Sequence, residues 1–134
     1  YGSMGGNTQS VAVSEADSRV EQVVRNQLVL GFGGERQGGA YRLELDVTSS
    51  VSGLLPGGVD NEFSAARTTV AANYVLKSES TGETVTSGSR FADAQLDLPS
   101  QNFAQERAKL EAENRAARQV AALVRADVAA ALAR

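Results

Sequence analysis

The chain has 134 residues, 42% of them apolar and 22% charged, with 13 basic against 16 acidic side chains and a net charge of −3. That is the length and composition of one globular domain, and the acidic balance lacks the basic face that general nucleic-acid binding needs. Cysteine, histidine and tryptophan are absent, which excludes disulfides, thiolate nucleophiles, Cys/His zinc sites and a serine triad with a histidine base.

The opening residues, YGSMGGNTQS, are small and polar and read as a flexible stub over 1–9. No run of eighteen or more apolar residues follows anywhere, so no helix of the chain has the pattern of a bilayer span. Residues 10–13, SVAV, form a short candidate strand. The period then changes: Val20, Val23, Val24 and Leu28 recur at helical spacing and make one apolar stripe, predicting a helix from about Asp17 to Leu30. Ser18 followed by Glu21 has the spacing of a capping box, and Gly31 stands where a left-handed C-terminal cap is expected.

Five glycines lie between Gly31 and Gly39. In phosphate-binding loops the glycines follow a strand and open a helix, so that amide donors and the positive helix end meet the anion. Here a helix precedes them and a strand follows, and the helix end facing the loop is the negative one. A G-x-G-x-x-G frame begun at Gly31 also puts Arg36 in the last glycine's place. The segment reads as a cap and connector.

From Ala40 the period becomes two. Tyr41, Leu43, Leu45 and Val47 share one face, and Arg42, Glu44, Asp46 and Thr48 the other, as in a half-buried strand. The strand continues through TSSVSGLL to a turn signal at Pro56–Gly58. A second long strand covers about Ala65 to Ser78, with Val70, Ala72, Tyr74 and Leu76 facing inward. SESTGE turns the chain, Gly82 supplying a positive φ. A third strand spans about Glu83 to Gln95, where Gly88 points to a bulge or a close backbone approach. Pro99 closes the sheet, and one long helix runs from near Asn102, with Gln105 placed to complete a cap. Its first half, 104–119, is dense in charge, including the pair Glu111 and Arg115. Its second half carries Ala117, Val120, Ala121, Val124, Val128 and Leu132 on one stripe, suited to core packing against the sheet. The expected fold is α+β, in the order β-α-β-β-β-α, a two-layer sandwich with two helices on one face of a roughly four-stranded mixed or antiparallel sheet. Residues 10–134 form a single domain in this reading.

Candidate chemistry is sparse. No Ser-x-x-Lys dyad occurs, because Tyr74 precedes Lys77 and Glu106 precedes Lys109 by three residues. Glu44 and Asp46 share an outward strand face, where a solvated surface is the ordinary outcome for two carboxylates and a glycosidase-like pair the sharper one. Asp93 and Asp97 raise the same pair of readings, and no EF-hand spacing is present. The expectation is a protein that is not an enzyme, with no catalytic residues, no metal and no cofactor. Arg42, Arg67, Lys77 and Arg90 lie on strands, at positions facing away from the apolar face or near strand ends. They are either solvated charges that discourage edge-to-edge pairing or a cationic stripe for an anionic ligand.

Several segments together carry a family pattern: VEQVVRNQLVLGF, YRLELDVTSSVSGLL, ARTTVAANYVL, TGETVTSG, and the helix that begins FAQERAKLEAENRAA and ends in a Val/Ala/Leu-rich tail. In this order, over nearly the whole chain from Val11, they resemble the LPS-assembly lipoprotein family (LptE) of alphaproteobacterial type. The resemblance rests on packing and turn patterns, not on a chemical motif. Members begin with a lipidated cysteine followed by a short GF-x-PLYG segment, which Tyr1-Gly2 resembles in part. Residues 1–9 would then follow a removed lipid anchor. The resemblance implies a lipoprotein on the periplasmic side of the outer membrane, plugging and helping to assemble the large β-barrel LptD, through which lipopolysaccharide reaches the outer leaflet. The partners it implies are that barrel, lipopolysaccharide and the membrane through the anchor, with no nucleic acid. Arg67, Lys77 and Arg90 are the candidates for lipopolysaccharide phosphates. The alternative is a free-standing periplasmic module that binds a lipid or anionic ligand by itself.

Overall fold

A computed structural model describes residues 11–33, 40–54, 65–98 and 101–133. Strand β1 (Val11–Val13) is followed by helix α1 (Arg19–Gly31), the long strands β2 (Tyr41–Leu54), β3 (Ala65–Ser78) and β4 (Thr84–Asp97), and helix α2 (Asn102–Leu132). The sheet is mixed, in the order β1-β2-β3-β4, with β1 parallel to β2 and the other pairs antiparallel. This is the β-α-β-β-β-α sandwich expected from the periodicity. The expectations for the 1–9 stub, the Pro56–Gly58 turn, Pro99 and the middle of the glycine-rich segment lie outside the described residues.

Alternation decides which face is covered. Leu43 and Val47 of β2, Val70, Ala72, Tyr74 and Leu76 of β3, and Ala92, Ala94 and Leu96 of β4 are buried on one side. Val20, Val24 and Leu28 of α1 and Val120, Val124 and Val128 of α2 meet them there. Ala112, Ala116, Ala117 and Ala121 are also buried, and their small side chains let α2 lie close to its neighbours. α2 packs over β3 and β4, and α1 packs over β2 beside α2. The two helices run in the same direction: Arg19 at the start of α1 meets Glu113 and Asn114, and Gly31 at its end lies against Arg125. With 31 residues, α2 is roughly 46 Å long, comparable to the 14-residue strands. α1, with 13 residues, covers less than half that length.

The ends of the elements differ from expectation in ways the packing explains. α1 runs through Gly31, and the left-handed glycine is Gly33, with φ 91. Phe32 between them is buried and its N–H closes the last turn on Leu28 O at 2.9 Å, so the helix stops only once that ring is in the core. Gly31 instead leaves room for a neighbour, since a Cβ there would stand 2.5 Å from Arg125 Cδ. Gly82 has the expected positive φ of 73. Gly88 marks a close approach, not a bulge: a Cβ would come 2.9 Å from Tyr74 Oη, on the strand directly opposite. The register slip lies further along, where Leu76 pairs with Thr86 and Lys77 with Thr84. α2 begins at Asn102 as expected, with Gln101 as N-cap residue and no side-chain capping bond from it.

Glu21 does more than cap. Ser18 Oγ accepts from Glu21 N at 3.2 Å, as the spacing predicts, but the Glu21 carboxylate turns to Asp17 N at 2.8 Å and, across to the sheet, to Val47 N at 2.9 Å. Beside it, Ser14 donates from N to Leu43 O at 2.9 Å and accepts from Leu45 N at 3.1 Å. β1 is only three residues long, so these two side chains continue its work along the outer edge of β2. They satisfy backbone donors that would otherwise be buried unpaired.

Candidate functional site

The helices leave the other face of the sheet open. It carries Arg42, Glu44, Asp46, Thr48 and Ser50 from β2, alternating with the buried residues, and from β3 and β4 a surface of Thr, Asn, Ser and Asp side chains. Hydrogen bonds tie neighbouring strands together across it: Thr69 Oγ1 donates to Asp93 at 2.6 Å, and Ser89 Oγ to Asn73 at 2.6 Å. Phe91, opposite Ala71, is the one large apolar side chain on this face among the described residues that stands well exposed, at 65%.

The sequence-predicted cations are distributed over this frame without converging. Lys77 lies on the open face near one end of β3, 3.5 Å from Glu44, which Arg42 also approaches at 3.7 Å. Glu44 and Asp46 do share the outward face, as alternation requires, and Glu44 sits between two cations there. Arg67 lies on the same face, ten positions away on β3, roughly 33 Å along the strand, exposed opposite Ser52 and Gln95.

Arg90 is the exception and corrects the expectation that it faces away from the apolar side. It stands opposite Ala72, in line with buried Ala92 and Ala94, on the helix-covered face. There it forks onto Asp127 of α2, with Nε to Oδ2 at 2.8 Å and Nη2 to Oδ1 at 2.7 Å. Tyr74 Oη donates to the same carboxylate at 2.6 Å. The two guanidinium bonds hold the Asp127 carboxyl below its usual range, aided by the tyrosine and opposed by partial burial. Burial, then the bond to Asp127 and its charge, push the Tyr74 phenol up to about 12. Arg90 is likewise raised, chiefly by its bonds to Asp127. Gly88 belongs to this arrangement, because only a residue without a side chain lets the Tyr74 ring lie across β4 toward α2.

Asp127 was not singled out from sequence, although it had a signal. It is the only acid between Ala117 and Leu132, in a stretch otherwise built for packing. Among the described residues no group of three or more His, Cys, Asp or Glu side chains is placed to hold a metal. No described helix is long and apolar enough to cross a membrane.

No protein-family model matches the chain, and no curated protein matches its sequence. Solved structures do match in fold. A protein described as a lipoprotein from Caulobacter crescentus superposes with a TM-score of 0.79 at 21% identity, covering 98% of this chain and 97% of that one. The rare lipoprotein B of Shewanella oneidensis gives 0.65 at 13% identity over 90% of this chain and 92% of its own. A minor lipoprotein of Acinetobacter baumannii gives 0.64 at 10% identity, covering 90% of this chain and 88% of the other. At these identities the likeness concerns the fold: the sandwich described above is one that lipoproteins use from end to end.

Proposed function

We propose that this chain is an outer-membrane lipoprotein of LptE type, held on the periplasmic side by a lipid anchor, and that it plugs and helps assemble an LptD-like β-barrel that delivers lipopolysaccharide to the outer leaflet. The observation that carries this reading is the end-to-end correspondence of the whole sandwich with lipoprotein structures, above all the Caulobacter one. It agrees with the resemblance already present in the order of sequence segments. The open face supports it physically. The lumen of an outer-membrane barrel is polar, and a sheet whose uncovered side is hydroxyls, amides and paired charges can meet such a wall without a large apolar patch.

In this reading the protein is not an enzyme. Its role is to occupy space, hold a partner in shape and present polar surface. Arg67 and Lys77, both on the open face, are the cations placed to face lipopolysaccharide phosphates there, Lys77 from beside Glu44 at 3.5 Å, whereas Arg90 is held by Asp127 on the covered face. The test is co-expression of the full-length protein with the large barrel of the same organism, and purification through a tag on this chain. A detergent-stable 1:1 complex is expected. Recovery of the domain alone, under conditions in which the barrel is folded, would overturn the proposal in favour of a free-standing binding module.

A further inference from the structure

Most cations described in this protein are matched to a carboxylate. Arg19 pairs with Glu113, Lys77 and Arg42 with Glu44, Arg90 with Asp127, Lys109 with Glu106, and Arg115 with Glu111. Arg118 and Arg125, like Arg67 and Arg107, have no carboxylate partner among the described residues, and what sets these two apart is that both open onto one cleft. The cleft, of about 290 Å³, lies between the end of α1 and the middle of α2, with Gln27, Leu30 and Gly31 on one wall and Arg118, Ala122 and Arg125 on the other. A second lobe of about 300 Å³ continues from Gly31, Ala122 and Arg125 toward the end of α2. Among the described residues no acidic side chain lines either lobe, although the protein carries a net charge of −3.

The spacing of the two arginines makes them act together. Seven residues on a helix is nearly two full turns, so Arg118 and Arg125 lie on one stripe, roughly 10 Å apart along the axis, within reach of a single group placed between their side chains. Gly31 gives Arg125 its path across the end of α1, since any side chain there would meet Arg125 Cδ. One structural role competes. α1 has no basic residue in its last turn, and Arg125 answers the negative helix end there. That accounts for Arg125 but not for Arg118, which stands almost two turns earlier.

We propose that this cleft binds a phosphate group, held between the guanidinium forks of Arg118 and Arg125. Two planar, permanently charged forks suit a multivalent oxyanion. A cleft near 300 Å³ sits at the lower end of small-ligand sites, the right scale for a head group or a small phosphate. Leu30, 71% exposed at the rim, offers a surface to an alkyl chain attached to that phosphate. The site is independent of the barrel reading and stands or falls separately from it.

The test follows the Arg118 and Arg125 Nε–H signals by NMR while the chain is titrated with pyrophosphate, with dihexanoyl phosphatidic acid and with dihexanoyl phosphatidylcholine, each below its micelle concentration. Saturable shifts at both arginines are expected with at least one of the first two ligands. Response to pyrophosphate shows that phosphate alone suffices; response to phosphatidic acid only assigns the site to a lipid head group. Arg118→Ala and Arg125→Ala should each weaken binding by about tenfold, with the melting curve little changed because both side chains are exposed. Gly31→Ala, which displaces Arg125 without altering charge, should weaken it by a smaller factor, and Arg42→Ala should leave it unchanged. Absence of saturable shifts with both phosphate ligands overturns the proposal. So does affinity that survives the double arginine variant, or equal binding of the zwitterionic lipid.

Discussion

The two faces of β3 are written in the same 14 residues and follow opposite rules. Toward the helices stand Ala66, Thr68, Val70, Ala72, Tyr74 and Leu76, all buried, and apolar apart from the Thr68 hydroxyl and the tip of the tyrosine. Toward the open side stand Arg67, Thr69, Ala71, Asn73, Val75 and Lys77, alternating with them along the strand. The covered face stabilises the fold by removing apolar area from water. The open face contributes little to that and is free to serve recognition. The contrast teaches where substitutions should act on folding and where they should act on partners.

The largest effect should come from the covered face. Leu76 is fully buried, so Leu76→Ala should cost about 2–5 kcal/mol through lost transfer energy and a residual cavity. Val75→Ala, one position along and facing outward, should cost under about 1 kcal/mol. Denaturant titration of the two variants measures the contrast, and equal losses would mean that both faces are covered. Next comes Glu21. Its carboxylate is buried and accepts from Val47 N and Asp17 N, so Glu21→Ala should cost about 1–3 kcal/mol by stranding a buried donor on the sheet edge. Glu21→Gln keeps one acceptor oxygen and should recover part of that loss. A loss no greater than that of an exposed α1 residue such as Gln22 would show that the edge is satisfied in another way.

A smaller effect is expected where the covered face carries charge. The Asp127 carboxyl is held low by Arg90 and Tyr74 in the folded protein, so its contribution is fully present above the unfolded value of about 3.9. It is lost as pH falls through the lower folded value. Tyr74 has the opposite sign: raised to about 12 in the fold from about 10 unfolded, it favours the folded state below pH 10 and loses that advantage between about 10 and 12. Melting temperatures over these two ranges should fall more steeply for the wild type than for Asp127→Asn on the acid side and for Tyr74→Phe on the alkaline side. Parallel profiles would mean that the cluster makes no net contribution. Arg90 is half exposed, so solvent screening keeps the whole effect modest.

The same contrast explains what could be read from sequence. A period of two over Tyr41–Val47 and over Val70–Leu76 sets both the strands and their faces, and a period of 3.6 sets both helices. Hence the architecture and nearly all of the core were legible. β4 was less so. Its inner face is Gly88, Arg90, Ala92, Ala94 and Leu96, in which one glycine and one arginine break the apolar pattern. Arg90 therefore looked like a surface charge, and the acid that draws it inward lies 37 residues away on another element. Glu21 was legible as a cap but not as a sheet-edge partner, because the length that β1 leaves uncovered depends on tertiary structure. The cleft at Arg118 and Arg125 was invisible for a related reason: it exists only because α1 ends at Gly31 alongside that stretch of α2.

The smallest expected effect on stability is the most informative about the open face. Lys77 and Glu44 stand 3.5 Å apart with 39% and 43% of their side chains exposed, and such pairs contribute about 0.2–1 kcal/mol at most, less in salt. Lys77→Ala should therefore shift the denaturation midpoint barely at all. Arg67→Ala, exposed without a carboxylate partner among the described residues, should shift it even less. If the open face meets a barrel wall or a phosphate-bearing lipid, both variants should nevertheless reduce recovery of the 1:1 complex or the binding of lipopolysaccharide, with a stronger dependence on salt in the wild type than in the variants. Stability that stays flat while recognition falls would separate the two faces of β3 by function as clearly as burial separates them by structure. Recognition that also stays flat would move the partner-facing surface away from the sheet and toward the helices.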